Sequence, residues 1–180
     1  LGCFLQAIVV YSGLVTLFTK KSPLWFFSGV KEAMLAAFVT RSSSGVLPIS
    51  MANVQKNLGV SEKVSSFVLP LGATINMDGT ALYQGVCALF VAQAFGIDLT
   101  FQAQIGILIT ATLASIGTAG VPGAGLIMLS MVLTSAGLPI EGIGLVAGID
   151  AVLDMARTCI NVTGDMCVST VVAKSEGEKF

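Results

Sequence analysis

The stretch SIGTAGVPGAG, residues 115–125, lies in the middle of a long segment without charge, since residues 99–140 contain no Asp, Glu, Lys or Arg. About eighteen uncharged apolar residues are enough to cross a bilayer as a helix. Glycine permits unusual backbone dihedrals and proline interrupts a helix, so the stretch predicts a turn between two apolar helical arms. A break at membrane depth is tolerated only where it lines a cavity or is buried in protein. We therefore predict a re-entrant hairpin over residues 100–138, which enters and leaves the membrane on one side.

A second segment, residues 24–60, has the same design. It contains RSSSG (residues 41–45) and Pro48 between two arms predicted at residues 29–40 and 49–58. Neither predicted arm is long enough to span a bilayer comfortably. Paired Gly/Pro-interrupted segments are typical of transporter binding sites built from inverted repeats. Chance repetition of small residues in Gly-rich membrane helices is the alternative.

The rest of the chain predicts membrane-spanning helices at residues 1–21, 62–97 and 142–173, followed by a polar tail at residues 174–180. The second of these helices is interrupted by NMDGT, residues 76–80. The chain begins inside an apolar run without Met or a basic leader, which predicts the cut end of a longer protein.

The composition restricts the class of protein. Of the 180 residues, 54% are hydrophobic and 11% charged, and the mean hydropathy is +0.90. A soluble domain carries roughly a quarter charged residues. The net charge of −1 and the scattered basic residues argue against nucleic-acid binding. The absence of histidine excludes Ser–His and Cys–His nucleophile pairs and makes zinc catalysis improbable. An integral membrane protein, or a piece of one, is the prediction.

The last helix carries a polar stripe, which we define as Asp150, Asp154, Arg157, Asn161 and Asp165. At about 100° per residue these side chains fall within an arc of roughly 80°. Each charge facing lipid costs about 2.5–3.5 kcal/mol on insertion scales, so the stripe faces a wet cavity or other polar groups. An internal salt-bridge stripe that only holds helices together is the alternative, but one arginine cannot neutralise three carboxylates.

The residue types in the stripe suit a particular ligand. Arginine offers a planar fork for a carboxylate, and Asp154 one turn away can accept from an ammonium group. Asn161 has both a donor and an acceptor. The three together predict an acidic amino acid as ligand. Asp165, and Asp78 in the broken helix, are hard oxygen ligands suited to a sodium or proton site.

The chain resembles the glutamate transporter family of dicarboxylate/amino acid:cation symporters. Four motifs carry the resemblance, and they occur in the order of the family and across the whole chain: RSSSG, NMDGT, SIGTAGVPGAG and DMARTCINVTGD (residues 154–165). The likeness is greatest to archaeal sodium-coupled aspartate transporters. It implies an all-α integral membrane fold of transmembrane helices and two re-entrant hairpins in inverted repeats, the transport domain of an elevator-type transporter. Residues 1–21 would be the sixth membrane helix and residues 100–138 the gate. The third helix and the scaffold helices of a homotrimer would be missing.

The resemblance also implies the site residues. Arg157 would hold the substrate side-chain carboxylate and Asp154 its amino group. The full substrate set would be Arg157, Asp154, Thr158, Asn161, Thr80, Ser43, Ser44, Val121 and Gly125. Sodium would bind at three sites. The first would use Gly72, Asn76, Asn161 and Asp165. The second would use the backbone of Thr74, Ser115, Ile116 and Thr118 with Met77 nearby, and the third would use Asn76 and Asp78 with residues of the third helix.

The expected function is secondary active symport of aspartate or glutamate with sodium ions in the plasma or inner cell membrane, by a multi-pass, lipid-embedded homotrimer and not by an enzyme. A proton-coupled dicarboxylate or glutamate symporter is the main alternative. An intramembrane aspartyl protease using Asp78 and Asp165 is weaker, because the G-x-G-D sequence of that class lacks its first glycine here: Val162 stands in its place. A purely conducting channel is a further alternative.

Overall fold

The computed structural model describes residues 1–180 and contains helices without strands. A short 3-10 turn, Ile140–Gly142, precedes α8. The helices in chain order are α1 Gly2–Thr19, α2 Pro23–Thr40, α3 Ser43–Leu58, α4 Glu62–Ile75, α5 Asp78–Ala94, α6 Phe101–Ser115, α7 Ala124–Ser135, α8 Ile143–Ala147 and α9 Asp150–Ser175.

Helix α1 alone is long and apolar enough to cross a membrane unaided, while α6 and α7 are shorter apolar helices. Helix α1 alternates α-helical turns with wider π-helical turns at Gln6–Tyr11 and Val15–Thr19. The chain leaves α1 at Lys20 in the left-handed region (φ 62°), and the Ser22 side chain then accepts from Trp25 N–H to begin α2. Lys20 thus ends α1, and the Ser22 cap begins α2.

Helices α2 and α3 form a helical hairpin, the first hairpin, whose arms are separated only by Arg41 and Ser42. The arms are longer than predicted: α2 has 18 residues and α3 has 16, or about 27 Å and 24 Å. The Ser-rich sequence was expected to unwind, but the Ser42 hydroxyl accepts from Gly45 N–H and caps α3. Pro48, close to the start of α3, removes only one helical N–H.

Helices α6 and α7 form the second hairpin. Its arms have 15 and 12 residues, about 22 Å and 18 Å, which is well short of the roughly 30 Å hydrocarbon core of a bilayer. The second tip, residues 116–123, is not helical. Gly117 (φ 82°) and Gly123 (φ 77°) adopt left-handed dihedrals that favour glycine, so these two residues shape the tip.

Two breaks interrupt the remaining helical segments. The first lies at Asn76 and Met77, between α4 and α5, as the NMDGT motif predicts. The second was not predicted, since residues 142–173 were expected to form one continuous helix. The chain instead bends at Gly148, and Ile149 N–H bonds the Val146 carbonyl three residues back. Glycines at 142, 144 and 148 lower the helix propensity of this segment.

Helix α9 is the central element of the fold. It packs against α1 to α5, and an apolar cluster of 17 buried residues lies among α1 to α4 and α9. A separate cluster of 13 buried residues joins α5 to the second hairpin and α8. Between the two clusters, the polar side chains of α9 meet both hairpin tips and the α4–α5 break.

Candidate functional site

The polar stripe is buried in the middle of the protein. Its five residues have exposed fractions of 2–6%. Above it lies a cavity of about 10 Å³, room for roughly one water molecule, lined by both tips, the α4–α5 break and α9. The substrate residues expected from the sequence that line it are Ser43, Thr80, Val121, Gly125, Asp154, Arg157, Thr158 and Asn161. Ser44 does not line it and is exposed.

Arg157 lines the cavity and has several partners. Its Nε donates to Asp154 Oδ1 at 2.9 Å and its Nη1 to Asp150 Oδ1 at 3.3 Å. The guanidinium carbon lies 4.3 Å from the centroid of the Tyr83 ring, a cation–π contact. Nη2 forms an ion pair with Asp154 Oδ1 at 2.9 Å, but its N–H bonds are not aligned for a hydrogen bond. Buried donors usually make hydrogen bonds, so the N–H groups of Nη2 are available to an added acceptor.

Asp154 links the stripe to the second hairpin. Its Oδ2 accepts from Gly123 N–H at 2.9 Å, and its Oδ1 from the Thr158 hydroxyl at 3.2 Å. A Cβ placed on Gly125 would lie 2.5 Å from the guanidinium carbon of Arg157, so only glycine lets the start of α7 approach this closely. The second tip therefore rests directly on the charged groups of α9.

Asn161 caps the start of α5. Its Oδ1 accepts from Gly79 N–H at 2.7 Å and Thr80 N–H at 3.3 Å. Its Nδ2 donates to the Thr80 hydroxyl at 3.1 Å and lies 3.2 Å from Met77 Sδ. The first backbone N–H groups of a helix have no intrahelical partner, and the side chain of Asn161 supplies one here.

A second polar cluster lies one turn further along α9. Asn76 Nδ2 donates to Asp165 Oδ1 at 3.0 Å, and a Cβ on Gly72 would lie 2.6 Å from that oxygen. Both ion pairs in the structure involve Arg157, so Asp165 is buried without a basic partner. No three His, Cys, Asp or Glu side chains come together as a metal-binding group. Any cation here would be held by one carboxylate with amide and backbone oxygens, a donor set suited to hard cations.

Asp78 has partners that the sequence did not indicate. Its Oδ2 accepts from the Tyr11 hydroxyl at 2.8 Å and from Gln6 Nε2 at 2.9 Å. The same hydroxyl lies 3.1 Å from the Ile160 carbonyl. Gln6 carries the one side-chain amide of a helix without charged residues, and this was the available signal. Tyr83 beneath Arg157 was missed because an aromatic residue in a membrane helix is usually a packing residue.

The two tips contact each other through the main chain of the second. The Gly120 carbonyl accepts from the Ser42 hydroxyl at 2.8 Å and from Ser44 N–H at 3.2 Å. Gly117 N–H donates to the Thr74 carbonyl at 2.8 Å. The expected ion-binding backbone of Ser115, Ile116 and Thr118 thus lies beside Thr74, and Thr118 also lines the cavity. We call the bonds made by Gly117, Gly120 and Gly123 the tip contacts.

Replacing Ser42 with alanine is expected to loosen these contacts. The change removes the hydrogen bond to the Gly120 carbonyl, about 1 kcal/mol, which corresponds to about fivefold in the equilibrium for opening of the tip. It also removes the cap of α3. Amide hydrogen exchange across residues 116–123 should accelerate by that factor. Ser130→Ala is the control, because the Ser130 hydroxyl bonds only the Ile127 carbonyl of its own helix. Unchanged exchange in Ser42→Ala would show that Ser42 does not hold the tip.

Comparison with known proteins gives consistent matches. A family model described as the sodium:dicarboxylate symporter family matches residues 1–175. An excitatory amino acid transporter of Caenorhabditis elegans is 49% identical over 154 residues, which are 86% of this chain and 31% of that protein. The human excitatory amino acid transporter 1 is 47% identical over 171 residues, 95% of this chain and 32% of that protein. The mouse excitatory amino acid transporter 5 is 46% identical over 172 residues, 96% of this chain and 31% of that protein.

The chain therefore spans about a third of the length of the curated relatives it matches. These relatives are animal proteins, so the likeness to archaeal members stays a prediction.

Proposed function

The chain belongs to the sodium:dicarboxylate symporter family, and from that premise we propose that the whole protein performs secondary active uptake of an acidic amino acid, aspartate or glutamate, driven by sodium ions. The family consists of transporters and not of enzymes. The name of the relatives, excitatory amino acid transporter, supports this substrate class over the protease and channel alternatives.

The observation that carries the proposal is Arg157, a buried arginine at a cavity whose Nη2 is ion-paired with Asp154 but makes no aligned hydrogen bond. A guanidinium is always charged and forms paired hydrogen bonds with a carboxylate. Asp154 beside it supplies the complementary acceptor for an ammonium group. A molecule with a side-chain carboxylate and an amino group satisfies both residues at once, which favours an acidic amino acid over a neutral one.

Binding requires the second tip to withdraw. A cavity of about 10 Å³ holds roughly one water and no amino acid. Withdrawal breaks the bond from Gly123 to Asp154 and the bonds of Gly117 and Gly120, and it frees the Asp154 carboxylate for a ligand ammonium. The substrate set then comprises Arg157, Asp154, Thr158, Asn161, Thr80, Ser43, Ser44, Val121 and Gly125, and the second hairpin acts as the gate.

Sodium is proposed to travel as co-substrate. One ion would bind at Asp165 with Asn76, Asn161 and the Gly72 backbone, where a buried carboxylate lacks a basic partner. A second would use the backbone of Thr74, Ser115, Ile116 and Thr118 beside Met77, so its site would form only when the tip is closed. A third would use Asn76 and Asp78 with residues outside this chain.

The remaining architecture follows from the family. We propose that both hairpins are re-entrant and that the chain is most of the mobile transport domain of an elevator-type transporter. Scaffold helices elsewhere in the protein would anchor it in a homotrimer in the cell membrane. The large apolar side chains exposed on α1, α6 and α7 are suited to contact lipid or those helices.

Calorimetric titration of the full-length protein with aspartate, glutamate and succinate, in sodium and in potassium, tests the proposal. Aspartate or glutamate should bind about a hundredfold more tightly in sodium, the upper range of ordinary coupling between sites. Succinate, which lacks an ammonium group for Asp154, should bind more weakly. Sodium-independent binding that changes with pH would instead favour the proton-coupled alternative, and no binding of any acid would refute the proposal.

A further inference from the structure

We propose that Asn53 and Asn57 form an amide clamp that fixes the two arms of the first hairpin in register, so that its tip is a fixed wall for the second tip. Both are positioning residues, since neither lines the cavity. The link to ligand affinity rests on the proposed function, whereas the clamp itself does not.

Both asparagines lie on α3 and reach across to α2. Asn53 Oδ1 accepts from Ala33 N–H at 3.1 Å, and Asn57 Nδ2 donates to the Gly29 carbonyl at 2.7 Å. Asn53 Nδ2 also donates to Glu32 Oε2 at 3.3 Å. Asn53 is buried, with 3% of its surface exposed, so its bond to Ala33 is shielded from water, whereas its partner Glu32 is exposed. The two amides are one helical turn apart, and so are the two backbone groups that they contact.

The two backbone groups that the asparagines contact, Ala33 N–H and the Gly29 carbonyl, already have partners within α2. In a regular α-helix the N–H of residue 33 and the carbonyl of residue 29 are partners of each other. They have no need of the asparagines to be satisfied. The amides therefore add little to helix α2 itself, and what they specify is which turn of α3 lies against which turn of α2.

Close packing at the same place makes the register selective. A Cβ on Gly29 would overlap the Leu58 side chain, so the arms are in close contact where Asn57 bonds. A slide of one arm along the other would move the amides away from Gly29 and Ala33 and drive Leu58 into a larger residue. Outside the arms, Gln55 Nε2 donates to the Ser65 hydroxyl at 2.7 Å and ties α3 to α4.

The second hairpin has no such clamp. Every side-chain hydrogen bond on α6 and α7 stays within its own helix or an adjoining turn, as those of Thr112, Ser130 and Thr134 do. Its polar bonds to the rest of the protein are the tip contacts. The first hairpin is thus held by polar bonds along its arms, and the second only at its end. This asymmetry fits the gate role proposed for the second hairpin and a fixed position for the first.

Spin labels on the two arms of the full-length protein test the clamp. Labels replace Val39 on α2 and Ile49 on α3, which are 71% and 40% exposed, after the native cysteines, including the four in this chain, are removed. Asn53→Leu, of similar volume, and Asn57→Ala should each broaden the distribution of label separations in the absence of substrate. Ser50→Ala is the matched control, because Ser50 is buried on the same arm but its hydroxyl bonds only the Val46 carbonyl of that arm.

Ligand binding gives the second measurement. Asn53→Leu should weaken aspartate binding in sodium by about tenfold, as expected when one buried and one partly buried hydrogen bond no longer hold the first tip in place. Ser50→Ala should bind as the parent protein does. Because Asn57 is exposed, Asn57→Ala does not put folding at risk. An unchanged label distribution in Asn57→Ala overturns the clamp even if Asn53→Leu yields no folded protein. A broadened distribution without any aspartate binding in the parent protein would refute the proposed function and leave the clamp standing.

Discussion

Replacing Arg157 with cysteine in the full-length protein is expected to reduce the affinity for aspartate and glutamate by about three orders of magnitude. The substitution removes the group proposed to hold the substrate carboxylate. It also leaves Asp150 and Asp154 as two buried carboxylates without their cation, and losing one member of a buried charge pair costs about 3–5 kcal/mol. The uncompensated negative charge would in addition repel an acidic ligand.

Two variants isolate the cause. Arg157→Lys keeps the charge but loses the planar fork, so it should recover part of the affinity and not all of it. Arg41→Cys removes the other arginine that lines the cavity, which is half-buried and forms no ion pair, and should have a much smaller effect. The quantity to measure is the aspartate dissociation constant by calorimetry in sodium. Binding by Arg157→Cys as tight as in the parent protein would refute the assigned role.

Replacing Asp165 with asparagine is expected to raise the sodium concentration needed for half-maximal aspartate binding by about a hundredfold. The change keeps the shape of the side chain and removes the single negative charge of the proposed cation site, where the attraction is weakly screened. Sodium-free protein should become more stable, because a buried carboxylate without a basic partner is costly. If Asp165 served only to bond Asn76, the substitution would change the stability of the protein but not the sodium concentration needed for half-maximal aspartate binding.

The matched control is Asp98→Asn, which removes the same charge from an exposed position between α5 and α6. Titrating sodium at a fixed aspartate concentration measures the half-maximal value for each variant. Identical sodium curves for Asp165→Asn and the parent protein would exclude Asp165 as a cation ligand.

The polar stripe could be predicted from the sequence because its residues recur with helical periodicity. Spacings of 4, 3, 4 and 4 put the polar stripe on one face, because an α-helix repeats every 3.6 residues. The NMDGT break between α4 and α5 was predicted from interrupted apolar character and is present. Family membership, inferred from four motifs, is confirmed by the match over residues 1–175.

Predictions of helix boundaries from local composition were wrong where a capping side chain or weak helix propensity determined the backbone conformation. Residues 42–45 resemble a loop by composition, but the Ser42 hydroxyl caps the helix that begins there. The bend at Gly148 was missed because the apolar run continues through it. Tyr11, Gln6 and Tyr83 act on residues distant in sequence, and no local pattern encodes those pairings.

The tip contacts have a genetic consequence. Their second-tip atoms, the N–H groups of Gly117 and Gly123 and the carbonyl of Gly120, belong to the main chain, as does the Thr74 carbonyl that receives one of them. A missense change, short of one to proline, deletes none of these atoms and can only distort the chain that presents them. Inactivating alleles within residues 116–123 should therefore be mostly replacements of glycine. Substitutions of the surrounding side chains should leave the tip contacts intact.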